Sequence, residues 1–78
     1  MEELLLTIAR ALVDLPEAVE VRTVEGPHGR VLYEIKVDER DVGKIIGRQG
    51  RVINAIRTVA KARALRDGKK KITVELAE

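Results

Sequence analysis

The stretch of this chain best equipped for chemistry is Val42-Gly43-Lys44-Ile45-Ile46-Gly47-Arg48-Gln49-Gly50-Arg51. Gly47 and Gly50 bracket two polar residues and follow a pair of isoleucines. Glycine lets a backbone turn sharply and leaves no Cβ to hold a ligand off. A helix that begins just after such a turn offers free N–H groups and the positive end of its dipole, and both favour an anion such as phosphate. Lys44, Arg48 and Arg51 place mobile positive charge around the same spot. These are the parts of a phosphate clamp indifferent to the sequence it grips.

Other glycine-based chemistries do not fit. A nucleotide-binding P-loop ends in Gly-Lys-Ser or Gly-Lys-Thr, and neither occurs. A dinucleotide fingerprint follows a strand directly, whereas these glycines follow a helical stretch. Gly43 and Gly47 have the spacing of a membrane helix-dimer motif, but Lys44 between them and the charged flanks oppose it. A plain corner between two helices needs the same glycines and stands as the bland alternative.

Composition removes whole classes of function. The 78 residues contain no cysteine, no serine and a single histidine, His28. Serine triads, cysteine–histidine dyads, disulfides and multi-histidine or thiolate metal sites are thereby excluded, and no catalytic residue, metal or cofactor is expected. One tyrosine and no other aromatic residue argue against a sheet that stacks bases. The apolar runs are short, so no membrane span or leader is expected and a cytoplasmic location follows. The formal net charge of +2 hides an asymmetry. Residues 1–39 carry four basic and nine acidic side chains, and residues 40–78 carry eleven basic and four acidic. Such a division points to an anionic partner, nucleic acid being the commonest, with a solvated helix face as the alternative.

The elements that position the clamp follow from periodicity. Apolar residues at helical spacing predict a helix over Met1 to Val13, with Glu2 and Glu3 at its positive end and Pro16 as its stop. Val19, Val21 and Thr23 alternate with charged residues as in a strand. Glu25 to Gly29 is turn chemistry containing an isolated, solvated His28. Val31, Tyr33, Ile35 and Val37 then line one face of a second strand, which makes Tyr33 a core residue. Asp38 and Asp41 can each cap a short helix bearing Val42, Ile45 and Ile46. A longer helix resumes at Arg51, with Val52, Ile56, Val59 and Ala60 inward, Arg57, Lys61 and Arg66 outward, and Gly68 at its C-cap. Ile72, Val74 and Leu76 form a third strand, and Lys69-Lys70-Lys71 protects its edge with charge. The order is α-β-β-α-α-β in one domain spanning 1–78, an α+β fold with a three-stranded mixed sheet and helices on one face. Gly43 inside a short helix costs about 1 kcal/mol against alanine, so close packing or a close ligand must use its missing side chain.

The run Ile45 to Gly50 with its flanks resembles the nucleic-acid-binding loop of KH domains, and the element order is that of the type II, prokaryotic KH fold. Chain length and the run from Asp41 to Ile56 resemble the KhpA-like family of small bacterial single-KH RNA-binding proteins. The resemblance implies binding of single-stranded RNA or DNA, about four nucleotides at a time. It implies phosphate contacts from the backbone of Gly47 to Gly50, with Arg48 and Gln49 as the exposed variable pair. Val42, Ile45, Ile46, Val52, Ile53 and Ile56 would supply an apolar groove and its supporting core, and Arg57 joins Lys44, Arg48 and Arg51 as a candidate phosphate contact. It further implies a homodimer, a larger KhpB-like RNA-binding partner, RNA chaperoning, and roles in gene-expression control, cell elongation and peptidoglycan homeostasis. A protein–protein dimerisation module with little RNA binding of its own is the competing function.

Overall fold

The computed structural model describes residues 1–69 and 71–77 and shows the expected α-β-β-α-α-β order. Its regular elements are α1 (Glu2–Leu12), β1 (Glu20–Glu25), β2 (Val31–Lys36), α2 (Val42–Ile46), α3 (Arg51–Arg66) and β3 (Ile72–Leu76). β1 and β2 pair antiparallel from Glu20↔Lys36 to Glu25↔Val31. β3 joins β2 in parallel, so the sheet order is β1-β2-β3 with β3 at an edge. A parallel pair needs a long crossover, and α2 with α3 provides it.

All three helices cover one face of this sheet. Tyr33, Ile35, Ile72 and Val74 meet Leu5 and Ala9 of α1, Ile45 of α2, and Ile53, Ile56, Ala60 and Ala64 of α3 in one core. Tyr33 is buried, as its place in the alternation requires. The C-terminus of α3 closes as a Schellman motif: Gly68 (φ 80°) donates its N–H to the Leu65 carbonyl at 3.1 Å, and Lys69 donates to Ala64 at 2.8 Å. Lys69 and Lys71 are exposed before β3, while Lys70 lies outside the described residues.

Several boundaries and roles differ from expectation. α1 ends at Leu12 because Val13 is already extended (φ −100°, ψ 161°), and Pro16 starts a separate 3₁₀ turn instead of stopping the helix. β1 continues past Thr23 to Glu25. Val59 is 45% exposed rather than inward. α3 lies on the sheet along Ile53, Ile56, Ala60 and Ala64, and each helical residue turns about 100°, so a position next to Ala60 leaves the interface. Asp38 does cap the turn before α2, accepting the Arg40 N–H at 2.9 Å. Asp41 does not cap α2. Its carboxylate is buried and accepts N–H groups from Asp14 at 3.2 Å and Leu15 at 3.1 Å, far away in the chain.

Candidate nucleic-acid interface

Between α2 and α3 the chain makes a single tight turn, Gly47 to Gly50, closed by a Gly50 N–H bond to the Gly47 carbonyl at 3.1 Å. Gly47 sits at φ 74°, ψ 174°, a region essentially reserved for glycine. A Cβ there would also lie 2.8 Å from Val52 Cβ and 2.9 Å from the Val52 nitrogen, so both conformation and space demand glycine. Gly50 is left-handed (φ 75°, ψ 14°) with room beside it, so conformation alone selects it. Gln49 also takes a left-handed conformation (φ 57°, ψ 27°), which costs a residue with a side chain about 1–2 kcal/mol. Arg48 and Gln49 thus stand out from the turn, both exposed.

α3 begins immediately after. Its 16 residues have Gly50 as N-cap, with neither a side-chain cap nor an acidic residue in the first turn. Arg51 spends its N–H on the Arg48 carbonyl, and the leading N–H groups after it, with no side chain to meet them, keep their capacity to bind an anion, to which the helix dipole adds. Arg51 is exposed at this end, its guanidinium 3.5 Å from Gln49 Oε1.

Lys44 and Arg57, the other two candidate cations, are differently placed. Lys44 Nζ donates to Asp14 Oδ2 and lies 3.7 Å from Asp41 Oδ1. The Asp14 hydrogen bond, with both nearby carboxylates, raises the Lys44 pKa above its ordinary value. Arg57 donates through Nε to the Val74 carbonyl at 3.0 Å and through Nη1 to Asn54 Oδ1 at 3.1 Å. Arg57 is therefore bound across the edge of β3 rather than swinging freely in solvent.

Beside the turn lies a groove of ≈ 960 Å³. Val42 and Ile46 of α2 form one wall, Ile53 and Arg57 of α3 its floor, and Leu76 and Ala77 at the end of β3 the other wall. Ile46 is 39% exposed, an apolar side chain presented to whatever enters. Ile45 and Ile56 are buried and support the groove from beneath without facing it, and Val52 is packed against Gly47. Asp38, Glu39 and Glu75 also line it, together with Glu20 and Lys36. The Arg40 guanidinium and backbone hold the Asp38 carboxyl below its ordinary value. The turn carries cations with no carboxylate in its own sequence, whereas the groove lining mixes both signs, so the turn is the more favourable seat for phosphate. Gly43 is exposed, and a Cβ there would meet nothing within 4 Å, so helix packing does not explain this glycine.

Sequence reasoning missed the β3 wall of the groove, Leu76 and Ala77, although the parallel crossover that puts β3 at the sheet edge was its signal. It also missed the Asp41 contacts, for which no local signal exists.

Comparison with known proteins agrees with this geometry. The family described as "KhpA/KhpB, KH domain" matches residues 2–76. Among curated relatives, the "RNA-binding protein KhpA" of Caldanaerobacter subterraneus subsp. tengcongensis is 53% identical over 97% of this chain and 99% of its own. The protein of that name from Clostridium perfringens is 50% identical over 97% and 99%, and that from Listeria monocytogenes 42% over the full length of both. Among solved structures, Aquifex aeolicus Era bound to GDP and aluminium fluoride superposes with a TM-score of 0.66 at 21% identity, which bears on the fold alone. The match covers 97% of this chain but only 30% of the Era chain. With near-complete matches in sequence and the same order of helices and strands around the glycine turn, the chain belongs to the KhpA/KhpB family of KH domains.

Proposed function

We propose that this protein binds short single-stranded RNA, gripping phosphates at the Gly47–Gly50 turn and laying bases into the groove of Val42, Ile46, Ile53 and Leu76. The observation that carries this reading is the adjacency of a backbone turn, an uncapped helix N-terminus and an exposed apolar groove. Phosphate and base each find a chemically suitable surface, and a single strand, whose bases are unpaired, can offer both at once. The relatives named RNA-binding protein support it. This is a binding function and not a catalytic one: a chain without cysteine or serine and with one histidine has little to offer as nucleophile or base. No helix among the described residues is long and apolar enough to cross a membrane, and we place the protein in the cytoplasm.

The outer face of α3 carries Val59 and Leu65, 45% and 69% exposed, with exposed Ala62 between them and Ala55 one turn before Val59. An apolar stripe of this kind supports the homodimer or KhpB-like pairing expected of the family. Each copy grips few nucleotides, and a second RNA surface raises affinity by effective concentration. We extend the reading to RNA chaperoning, control of gene expression, cell elongation and peptidoglycan homeostasis, the roles that the family resemblance implies.

The test is a mobility-shift assay on a short RNA pool with the double variant Arg48→Asp, Gln49→Asp. Both side chains face solvent, so stability changes by at most about 1 kcal/mol while binding is lost. Wild-type affinity in a variant shown folded by circular dichroism would falsify the assignment, and dimerisation without RNA binding in the wild type would favour the competing module.

A further inference from the structure

We infer that Asp41 and Lys44 are positioning residues for RNA binding: they clasp α2 to the exit of α1 and so fix where the Gly47–Gly50 turn stands, without touching RNA. The inference rests on the RNA-binding reading of that turn.

α2 has five residues, Val42–Ile46, too few for a helix to hold itself in water. Its direction nevertheless decides where Gly47 begins the turn and where Val42 and Ile46 meet the groove. Ile45 anchors it to the core from one side. Asp41 anchors its start, and the contact is unusual in kind. The carboxylate is 1% exposed and spends its two oxygens on the backbone N–H groups of Asp14 and Leu15, at 3.2 and 3.1 Å. Burying a carboxylate is costly unless such donors meet it, so the position is satisfied only while α1's exit and α2's start stay together.

Lys44 completes the clasp. Its Nζ donates to the Asp14 side chain, the residue whose backbone N–H already serves Asp41, and lies 3.7 Å from Asp41 itself. At about 100° per residue, Lys44 falls on the opposite side of α2 from Val42 and Ile46, the two residues facing the groove. A cation so placed faces α1, with two carboxylates already neutralising it.

Salt titration of binding to a short single-stranded RNA separates a positioning residue from a phosphate contact, because only the latter releases counterions. Lys44→Ala is expected to lower affinity with the wild-type slope of log affinity against log salt. Arg51→Ala, on the turn, flattens that slope by about 0.7. Asp41→Asn turns an amide N–H₂ toward backbone donors and is expected to weaken binding about tenfold, again with the slope unchanged. Hydrogen exchange without RNA then shows α2 and the turn opening faster in Asp41→Asn while the sheet amides keep their protection. A Lys44→Ala slope flattened as much as that of Arg51→Ala would make Lys44 a phosphate contact and overturn the clasp. So would a folded Asp41→Asn protein with wild-type affinity and exchange. If Asp41→Asn does not fold, the Lys44→Ala slope decides. A wild type that binds no RNA defeats the reading of the turn instead, and the exchange comparison still judges the clasp.

Discussion

Two turns in this molecule have nearly the same backbone and different surroundings. In the β1–β2 connection, His28 (φ 61°, ψ 31°) is followed by Gly29 (φ 74°); between α2 and α3, Gln49 (φ 57°, ψ 27°) is followed by Gly50 (φ 75°). Each places a left-handed residue with an exposed side chain ahead of a left-handed glycine. The first leads into a strand and is closed by a Gly26 N–H bond to the Arg30 carbonyl at 2.8 Å, and space around Gly29 is empty. The second leads into an uncapped helix of 16 residues and is pressed against Val52. A turn shape alone does not make an anion site. The element that follows it matters as well, because a helix start aligns backbone N–H groups and a dipole in one direction and a strand start does not.

Glycine replacement breaks the comparison most sharply. Gly47→Ala meets both a forbidden backbone region and the Val52 side chain, and is expected to cost about 2–4 kcal/mol and to abolish RNA binding. Gly29→Ala, with only its positive φ at stake, should cost about 1–2 kcal/mol and leave binding intact. Urea denaturation and mobility shift on both variants read the difference. The salt dependence comes next in size. With Lys44 and Arg57 engaged by protein groups, Arg48 and Arg51 remain as the candidate cations whose guanidinium groups meet no carboxylate or backbone carbonyl among the described residues, and two phosphates neutralised give a slope of about −1.4. Counting all four cations would give about −2.8, so a titration between low and moderate salt distinguishes the two arrangements.

Smaller still is the effect of relieving the two left-handed side chains. Gln49→Gly and His28→Gly should change stability alike, within about 0.5 kcal/mol of one another, since the strain removed is the same. Only Gln49→Gly should weaken RNA binding, by loosening the turn. Matched losses of affinity in the two variants would erase the distinction between the turns. The smallest effect concerns the approach to α2. Asp38 has its pKa lowered by the Arg40 hydrogen bonds, so its contribution to stability is present above the ordinary value of 3.8 and is lost as the pH falls through the lowered one. Thermal melts of wild type and Asp38→Asn should differ at pH 6 and converge in strong acid.

The strands, the mixed sheet and the glycine turn were legible in the chain because each rests on a local rule: alternation for Tyr33 and Ile35, handedness for Gly50 and Gly68. What escaped depended on distant partners. An aspartate just before a helix reads as a cap, and Asp41 departs from that only because the amides of Asp14 and Leu15 arrive through the fold. Val59 shares helical spacing with Val52 and Ile56, yet the sheet meets α3 along a stripe one residue away. Arg57 looks like any exposed helix cation until β3 brings the Val74 carbonyl to it.

The groove's two walls also come from stretches far apart in the chain, α2 on one side and the end of β3 on the other. The glycine turn is closed by contacts within a few residues, whereas the second wall exists only once β3 has paired with β2 across the α2–α3 crossover. A chain in which β3 is unpaired lacks that apolar wall, and on the proposed reading its hold on RNA is electrostatic alone. Closure of the parallel pair, a slow kind of step because it joins distant segments, converts that loose contact into a seat for bases. Maturation of the binding site is thereby tied to completion of the sheet.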